Sequence, residues 1–493
     1  MKKKNTLATV IFFVVVGILL LTYFLTDRQG DIVRMGISDI FVNGVQSFSY
    51  FFEIMLFLLV VGGFYAVLNQ TDAYRNLLSK IATKFKKSGF KFLMVVIAIF
   101  AVIASVTNFN LSLFLFVPFV VSIILLMGYS KVVALLSTVG AILVGNLGTL
   151  YFNFRNSNSN LFDVITLEET LRLDLNSNIL PKLLILLGGI ALLVWTVYEL
   201  IKKESKKKKS ESKTEGKKGK EKEKEILVEE KVEDTLLIGK ENNNKKAKTT
   251  AMIIILSILF VVFVLGMLPW ASLFELTIFD ELHTTITEFE INGVGIYELI
   301  FSSSIPALGR WRALGDYTLL MGLILLFTVI VKIVYRIKFK DVIDSFIEGA
   351  KRLLPAALLT TLVYTVLISA YNHGFFETIV YEVNNLIGGF NIVITTLLAA
   401  LGSFFHVDAF YAVQGGFYPI LNLIEDTSLY PVLDVLLQGV YGVVMLFAPT
   451  SLLLVAGLTY QKVPYTEWLK AIWRLVLMLL ALVLLVSIIL MLL

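Results

Sequence analysis

The sequence predicts an all-α integral membrane fold with about nine spans and two re-entrant hairpins, arranged as two inverted repeats. Three observations carry this expectation. Apolar residues fill 57% of the 493 positions and charged residues 16%, against roughly 25% charged in an average soluble domain, and the mean hydropathy is +0.82. The apolar residues fall in blocks of bilayer length. The polar residues that interrupt two of these blocks recur in the same order in both halves of the chain.

A helix needs about 20 apolar residues to cross the hydrocarbon core. Residues 8–26, 53–69, 181–201, 251–269, 317–335, 353–371 and 467–493 meet or nearly meet that length. Regions 92–150 and 389–459 are apolar for longer but interrupted. The short alternating segments of a transmembrane barrel are missing, which leaves helices as the spanning element. The chain opens on Lys2, Lys3 and Lys4 as a signal peptide would. The apolar run that follows exceeds a signal sequence and has no small-x-small cleavage site before Asp27, so a retained first span is expected.

Lysine and arginine set the orientation. The basic segments are Lys2–Lys4, KIATKFKKSGFK after the second span, Lys202–Lys248, KIVYRIKFK after Val334, and Gln461–Lys470. These are placed in the cytoplasm, and the acidic loops 154–180 and 271–316 outside. The two sets alternate along the chain without contradiction. A multi-pass protein of the cell membrane follows, with the N-terminus and the Lys202–Lys248 loop cytoplasmic. That loop carries 17 lysines and 11 acidic residues with almost no aromatic content. It cannot bury enough surface to offset the entropy of ordering, so a disordered linker is expected. Its lysines suit anionic lipid headgroups, while the lack of interleaved aromatics argues against nucleic acid. The organisation expected is a first membrane repeat over 1–201, the lysine-rich loop over 202–250, a connecting span and outer loop over 251–316, and a second, inverted repeat over 317–493.

The repeats rest on ordered matches. Residues 37–49 (ISDIFVNGVQSFS) match 342–354 (VIDSFIEGAKRLL), each leading into an apolar span. Next, SVTNFN (105–110) and SFFHVD (403–408) each sit between two apolar arms, placing Asn108 over His406 and Asn110 over Asp408. GNLGT (145–149) and APTS (448–451) then break the following span. By the lysine rule the two halves have opposite sense, the signature of many secondary carriers.

A polar break inside an apolar run must line a cavity or be buried in protein, since lipid satisfies no backbone group. Two hairpin tips and two broken helices are therefore expected to meet near mid-membrane. Helix N-termini there favour anionic groups, and freed carbonyls with Asn, Ser or Thr side chains coordinate sodium. The candidates are Ser105, Thr107, Asn108 and Asn110 at the first tip, and Asn146, Gly148 and Thr149 at the first break. The second half supplies His406 and Asp408 at the tip and Pro449, Thr450 and Ser451 at the break. Asp408 is expected to be central to coupling, because an ionisable residue at membrane depth is unfavourable unless neutralised. His406, two residues away, titrates near neutral pH and admits a proton-coupled variant. Helix–helix hydrogen bonding is the plainer role for Asn108 and Asn110. Gln414, Asp434 and Gln438 are second-rank candidates.

The chain has no cysteine, and His283, His373 and His406 share no ligand spacing, so no metal centre or cofactor is expected. Sodium is the candidate ion, at Asn110, Asn146 and Thr450. No Gly-x-x-x-x-Gly-Lys loop occurs to bind ATP. The alternatives are a passive channel and a membrane-embedded enzyme, but the chain shows no His-Glu-x-x-His, no Gly-x-Ser-x-Gly and no paired intramembrane aspartates.

The stretches GGFYAVLNQTDAYRNLLSKI (62–81), VGNLGTLYFN (144–153) and above all MLFAPTSLLLVAGLTYQKVPYTEWLKAIW (445–473) resemble the C4-dicarboxylate anaerobic carrier family, most closely its YfcC-type branch, within the ion transporter superfamily. The resemblance implies an elevator-type homodimer acting on a small-molecule substrate, a carboxylate-bearing metabolite that is either a dicarboxylate or an amino acid. Transport would be coupled to sodium, protons or exchange. By position, the family's polar tip falls on Thr107–Asn110 and its Pro-Thr-Ser break on Pro449–Ser451. The resemblance also implies acidic residues near the first tip, where this chain reads TNFN.

Overall fold

Bilayer-length apolar runs become helices because a helix pairs its own backbone groups within one segment. The computed structural model describes residues 6–25, 32–107, 110–150, 153–155, 164–174, 176–214, 249–291, 293–295, 297, 307–311, 317–387 and 390–493. These are almost entirely helical; among them the only strands form two short antiparallel pairs, β1 (Asn153–Arg155) with β2 (Val164–Thr166) and β3 (Glu290–Ile291) with β4 (Val294–Gly295). Nine of the described helices are long and apolar enough to cross a membrane.

The first half runs α1 (Thr6–Phe24), α2 (Ile37–Tyr50), α3 (Phe52–Asn69), α4 (Asp72–Phe85), α5 (Gly89–Thr107), α6 (Val117–Leu126), α7 (Lys131–Gly148) and α8 (Ile179–Thr214). Two long helices connect the halves, α9 (Thr249–Met267) and α10 (Thr318–Val334), with the short helices Trp270–Phe274 and Ile278–Thr287 between them. The second half runs α11 (Phe339–His373), α12 (Phe375–Ile387), α13 (Ile392–Phe405), α14 (409–421), α15 (Tyr430–Met445), α16 (Leu452–Gln461) and α17 (Tyr465–Leu492). The order repeats. The α2–α3 pair answers to α11, α4 to α12, the α5–α6 hairpin to α13–α14, α7 to α15 with α16, and α8 to α17.

Packing divides the helices into a frame and a core. In the frame, α11 lies along α2 and α3 and touches α1, and α10 packs on α3. The α3–α11 crossing is close because glycines face each other: a Cβ on Gly62 would sit 2.5 Å from the Gly349 carbonyl. Small residues allow such approach where lipid offers no hydrophobic drive. Asn43 donates to Ser369 at 3.0 Å across the α2–α11 contact. In the core, α5 packs on α7, α13 on α15, and both α8 and α15 on α17. Of the Lys131–Gly148 span 94% is buried, against 28% of Leu7–Phe24, Ile179–Lys206 and Tyr465–Leu492, so α7 is central and those three present apolar faces outward.

The structure departs from the sequence expectations in four places. Helix α11 begins at Phe339 and continues through Pro355, where the aligned first half kinks at Phe51. Membrane helices tolerate an internal proline when neighbours and side chains satisfy the freed carbonyl. Helix α8 continues to Thr214, into the lysine-rich segment, where Lys and Glu side chains are good helix formers; residues 215–248 lie outside the described residues. The second hairpin's returning arm, α14, carries a π turn over Ala412–Phe417. Finally, among the described residues no helix continues directly from the first break. Thr149 is extended (φ −65°, ψ 117°) and the chain leaves toward the β1–β2 pair, whereas α16 follows the second break.

Candidate binding site

The first break forms where glycines bring three segments together. Helix α7 is already loosened by a π turn at Leu136–Gly140 and ends in a tight 3-10 turn, Asn146–Gly148. A side chain on Gly145 would run into the Ala101 carbonyl of α5, and one on Gly148 into the Lys182 carbonyl of α8. From the other side Gly442 of α15 presses on the break, with 2.7 Å between its would-be Cβ and the Leu147 nitrogen. Hydrogen bonds fix the exit: Leu150 N donates to Ser105 O at 2.9 Å, and Gln438 Nε2 donates to Thr149 O at 2.7 Å. Hairpin α5–α6, the break and α15 are thereby joined around one spot.

The hairpin, the break and α15 leave polar atoms open. Asn146 is fully buried, and neither its Nδ2 nor its Oδ1 has a partner. Ser105 Oγ, Asn110 Oδ1, Ser112 Oγ and Gln438 Oε1 are likewise buried and unpaired. Each such atom costs about 1–3 kcal/mol relative to its solvated or paired state. Thr107 and Thr149 are satisfied locally, donating to Ile103 O at 2.8 Å and to Asn146 O at 3.1 Å. Asn108 lies outside the described residues.

The second tip and break are closed on themselves. Thr450 Oγ1 donates to Phe404 O at 2.6 Å, tying the break to the end of α13. Ser403 Oγ donates to Ala399 O at 2.7 Å. His406 Nδ1 lies 2.7 Å from Gly402 O, and its ring packs between Phe376 and Gly415. Pro449 and Ser451 are buried in the turn, where Ser451 N donates to Ala448 O at 3.1 Å. Asp408 is half-buried and caps α14, accepting from Tyr411 N at 3.1 Å and from the Tyr364 hydroxyl at 3.3 Å. Tyr364 belongs to α11 and stacks on Phe51 at 3.6 Å, so Asp408 faces the frame. Asp408 and Asn110 share no hydrogen bond. Gln414 instead lines an open cleft of about 230 Å³ with Glu377, Tyr381 and Tyr418.

Sequence reasoning passed over one cluster. Lys182 at the start of α8 donates to Glu168 and to Asp434 of α15, with 2.9 Å from Nζ to Asp434 Oδ2. Asn178 donates to the same Asp434 oxygen at 2.7 Å. In the sequence Asp434 is only a second-rank candidate for the cavity, and Glu168 one acid of the loop 154–180. A lysine one residue after Pro181, at the head of an apolar run, was the available signal. Among the described residues no three His, Asp or Glu side chains are grouped to hold a metal ion.

Comparison with known proteins adds the family. A family model described as C4-dicarboxylate anaerobic carrier matches residues 32–492. No curated protein matches the chain. The crystal structure of the Alcanivorax borkumensis YdaH transporter, described as having an unusual topology, is similar at 12% identity and a TM-score of 0.39, covering 98% of this chain and 97% of that one.

Proposed function

This chain belongs to the C4-dicarboxylate anaerobic carrier family, and we propose that it is a secondary active transporter of a small carboxylate-bearing metabolite, with a C4 dicarboxylate as the first candidate. Carrier rather than enzyme is what membership gives. Substrate, coupling and mechanism are our reading.

The observation that carries it is Asn146, a fully buried amide with both polar atoms unpaired at a helix break. A carboxylate supplies the missing acceptor for Nδ2. The oxygens of Asn146, Asn110 and Gln438, with Ser105 Oγ, offer the hard ligands that sodium takes, and a cation beside the anion lowers the charge to be carried. Thr450, named for sodium on sequence grounds, donates its proton to Phe404 O and keeps its oxygen lone pairs for a cation, and Gln438 joins it in our set. Gly145, Gly148 and Gly442 let the three segments close on the ligand with backbone against backbone. Alternating access would then be movement of the core against the frame, across the contact where Asp408 meets Tyr364. The lysine distribution supports a cytoplasmic N-terminus and α8–α9 loop in this reading.

Purified protein in liposomes tests this with labelled succinate, an imposed sodium or pH gradient, and arginine as the competing amino acid. Gradient-driven uptake of succinate, lost in Asn146→Ala while the variant stays folded, is the expected result. Uptake of arginine alone would move the substrate class, and leakage independent of any gradient would favour a channel.

A further inference from the structure

The fold buries a charge cluster beside the break, where the Lys182 carbonyl abuts Gly148. Lys182, Glu168 and Asp434 are each at most 2% exposed. One lysine faces two carboxylates, so the cluster carries a net negative charge if all three are ionised. Asp434 is well satisfied, by Lys182 at 2.9 Å and by Asn178 at 2.7 Å. Glu168 is not. Its Oε1 accepts from Lys182, but its Oε2 is buried with no partner. The charged groups that face it are Lys182 from α8 and Asp434 from α15. Buried charge without balance is strongly disfavoured, and a group so placed neutralises instead.

We propose that Glu168 is a proton-binding site of this carrier, and that its proton balances the Lys182–Asp434 pair and thereby sets the position of α8 against the first break. The link is physical. Lys182 touches both places: its side chain joins the two acids, and its carbonyl abuts Gly148 with no side chain between. With Glu168 neutral, Lys182 and Asp434 form a one-to-one pair. When Oε2 loses its proton, Lys182 is drawn between two carboxylates, and any shift of the first turn of α8 reaches Asn146 through Gly148. Burial and the Asp434 charge push the Glu168 carboxyl up to about 7, more than Lys182 pulls it down. The transport consequence rests on the reading of the break as the binding site; the proton site does not.

Infrared titration of the purified full chain separates the two. A protonated-carboxyl component that disappears as pH rises through about 7, present in the wild-type spectrum and missing from that of Glu168→Gln, is expected. The sign in stability follows. The folded carboxyl holds its proton more tightly than an unfolded one of 4.5, so the unfolding temperature in detergent falls as pH rises from 4.5 to about 7. Glu168→Gln should flatten that fall. If Glu168→Gln does not fold, Asp434→Asn replaces it; removing one acid must lower the midpoint of the band. A wild-type minus Glu168→Gln difference spectrum with no titrating carboxyl band, or a midpoint unmoved in Asp434→Asn, overturns the proposal. Succinate binding by calorimetry completes the test. A pH-dependent affinity that becomes flat in Glu168→Gln supports the link to the break, and an unchanged profile removes it. Absence of succinate binding in both proteins, with the band behaving as expected, would sink the substrate reading and leave the proton site standing.

Discussion

The two hairpin–break pairs of this molecule occupy equivalent places in the two halves, yet one is open and the other closed. In the first, Ser105, Asn110, Ser112 and Asn146 all leave buried polar atoms unpaired. In the second, Ser403, His406 and Thr450 each spend theirs on a nearby carbonyl. Both breaks lie within the core, so membrane burial alone does not explain the contrast. Ser403 turns back onto the carbonyl four residues earlier and Thr450 reaches across to Phe404, while the Asn146 amide, held between Gly145 and Gly442, has no acceptor. On our proposal the first tip and break are the ones that offer open polar atoms to a ligand, while the second tip and break are satisfied within the protein.

The largest effect that could break this comparison is at Asn146. Replacing it with Ala removes up to two hydrogen bonds to a charged ligand, about 1.5–3 kcal/mol each, so succinate uptake should fall on the order of 100-fold. Thr450→Ala, its counterpart, should lower uptake far less. Equal losses would mean the two halves share the ligand.

Gly148 is next. Its Cβ position is occupied by the Lys182 carbonyl, and backbone cannot turn aside as a side chain can. Gly148→Val should cost about 1–3 kcal/mol of stability as an overpacked contact, read by thermal unfolding in detergent. Gly44→Val, at a position with open space around it, should cost no more than about 1 kcal/mol as an exposed helix substitution.

How much of this could be read beforehand follows the range of the interaction. Spans, hairpin tips and breaks are local: a few polar residues inside an apolar run must be a turn or a site wherever the chain goes. The Lys182–Glu168–Asp434 cluster is not local. Lys182 and Asp434 lie 252 positions apart, and Glu168 sits in an acidic loop where nothing marks it for burial. GNLGT resembles APTS in composition, so the sequence predicts a broken helix there, while the bonds from Leu150 to Ser105 and from Gln438 to Thr149 hold the chain outside the helical path. Pro355 shows the converse: a residue that usually ends a helix lies inside one, because α2 and α3 pack along it.

Asp408 sharpens the comparison from the second half. It is a helix cap with a tyrosine donor and no bonded cation. Asp408→Ala should cost about 0.5–2 kcal/mol, whereas Asp408→Asn, an equally good cap, should leave the unfolding temperature nearly unchanged. If the carboxylate also serves coupling, Asp408→Asn abolishes gradient-driven accumulation while succinate binding persists. Normal accumulation in that variant reduces Asp408 to its capping role.

The smallest expected effect is the most direct reading of open against closed. Thr450→Val removes a hydroxyl that is paired, leaving the Phe404 carbonyl buried and unmatched, and should cost about 1–3 kcal/mol. Ser105→Ala removes a hydroxyl that has no partner, so nothing is left unmatched, and its stability change should be near zero or slightly favourable. Both side chains are fully buried and both changes keep the local volume close, so solvation and packing differences are small. Thermal unfolding of the two variants beside the wild type, without substrate, reads the difference. With saturating succinate the order should change: the wild type gains stability by mass action, and Ser105→Ala gains less, because the ligand loses one oxygen of its site. Equal costs for the two hydroxyls without ligand would mean that Ser105 is already satisfied, and that the first tip is as closed as the second.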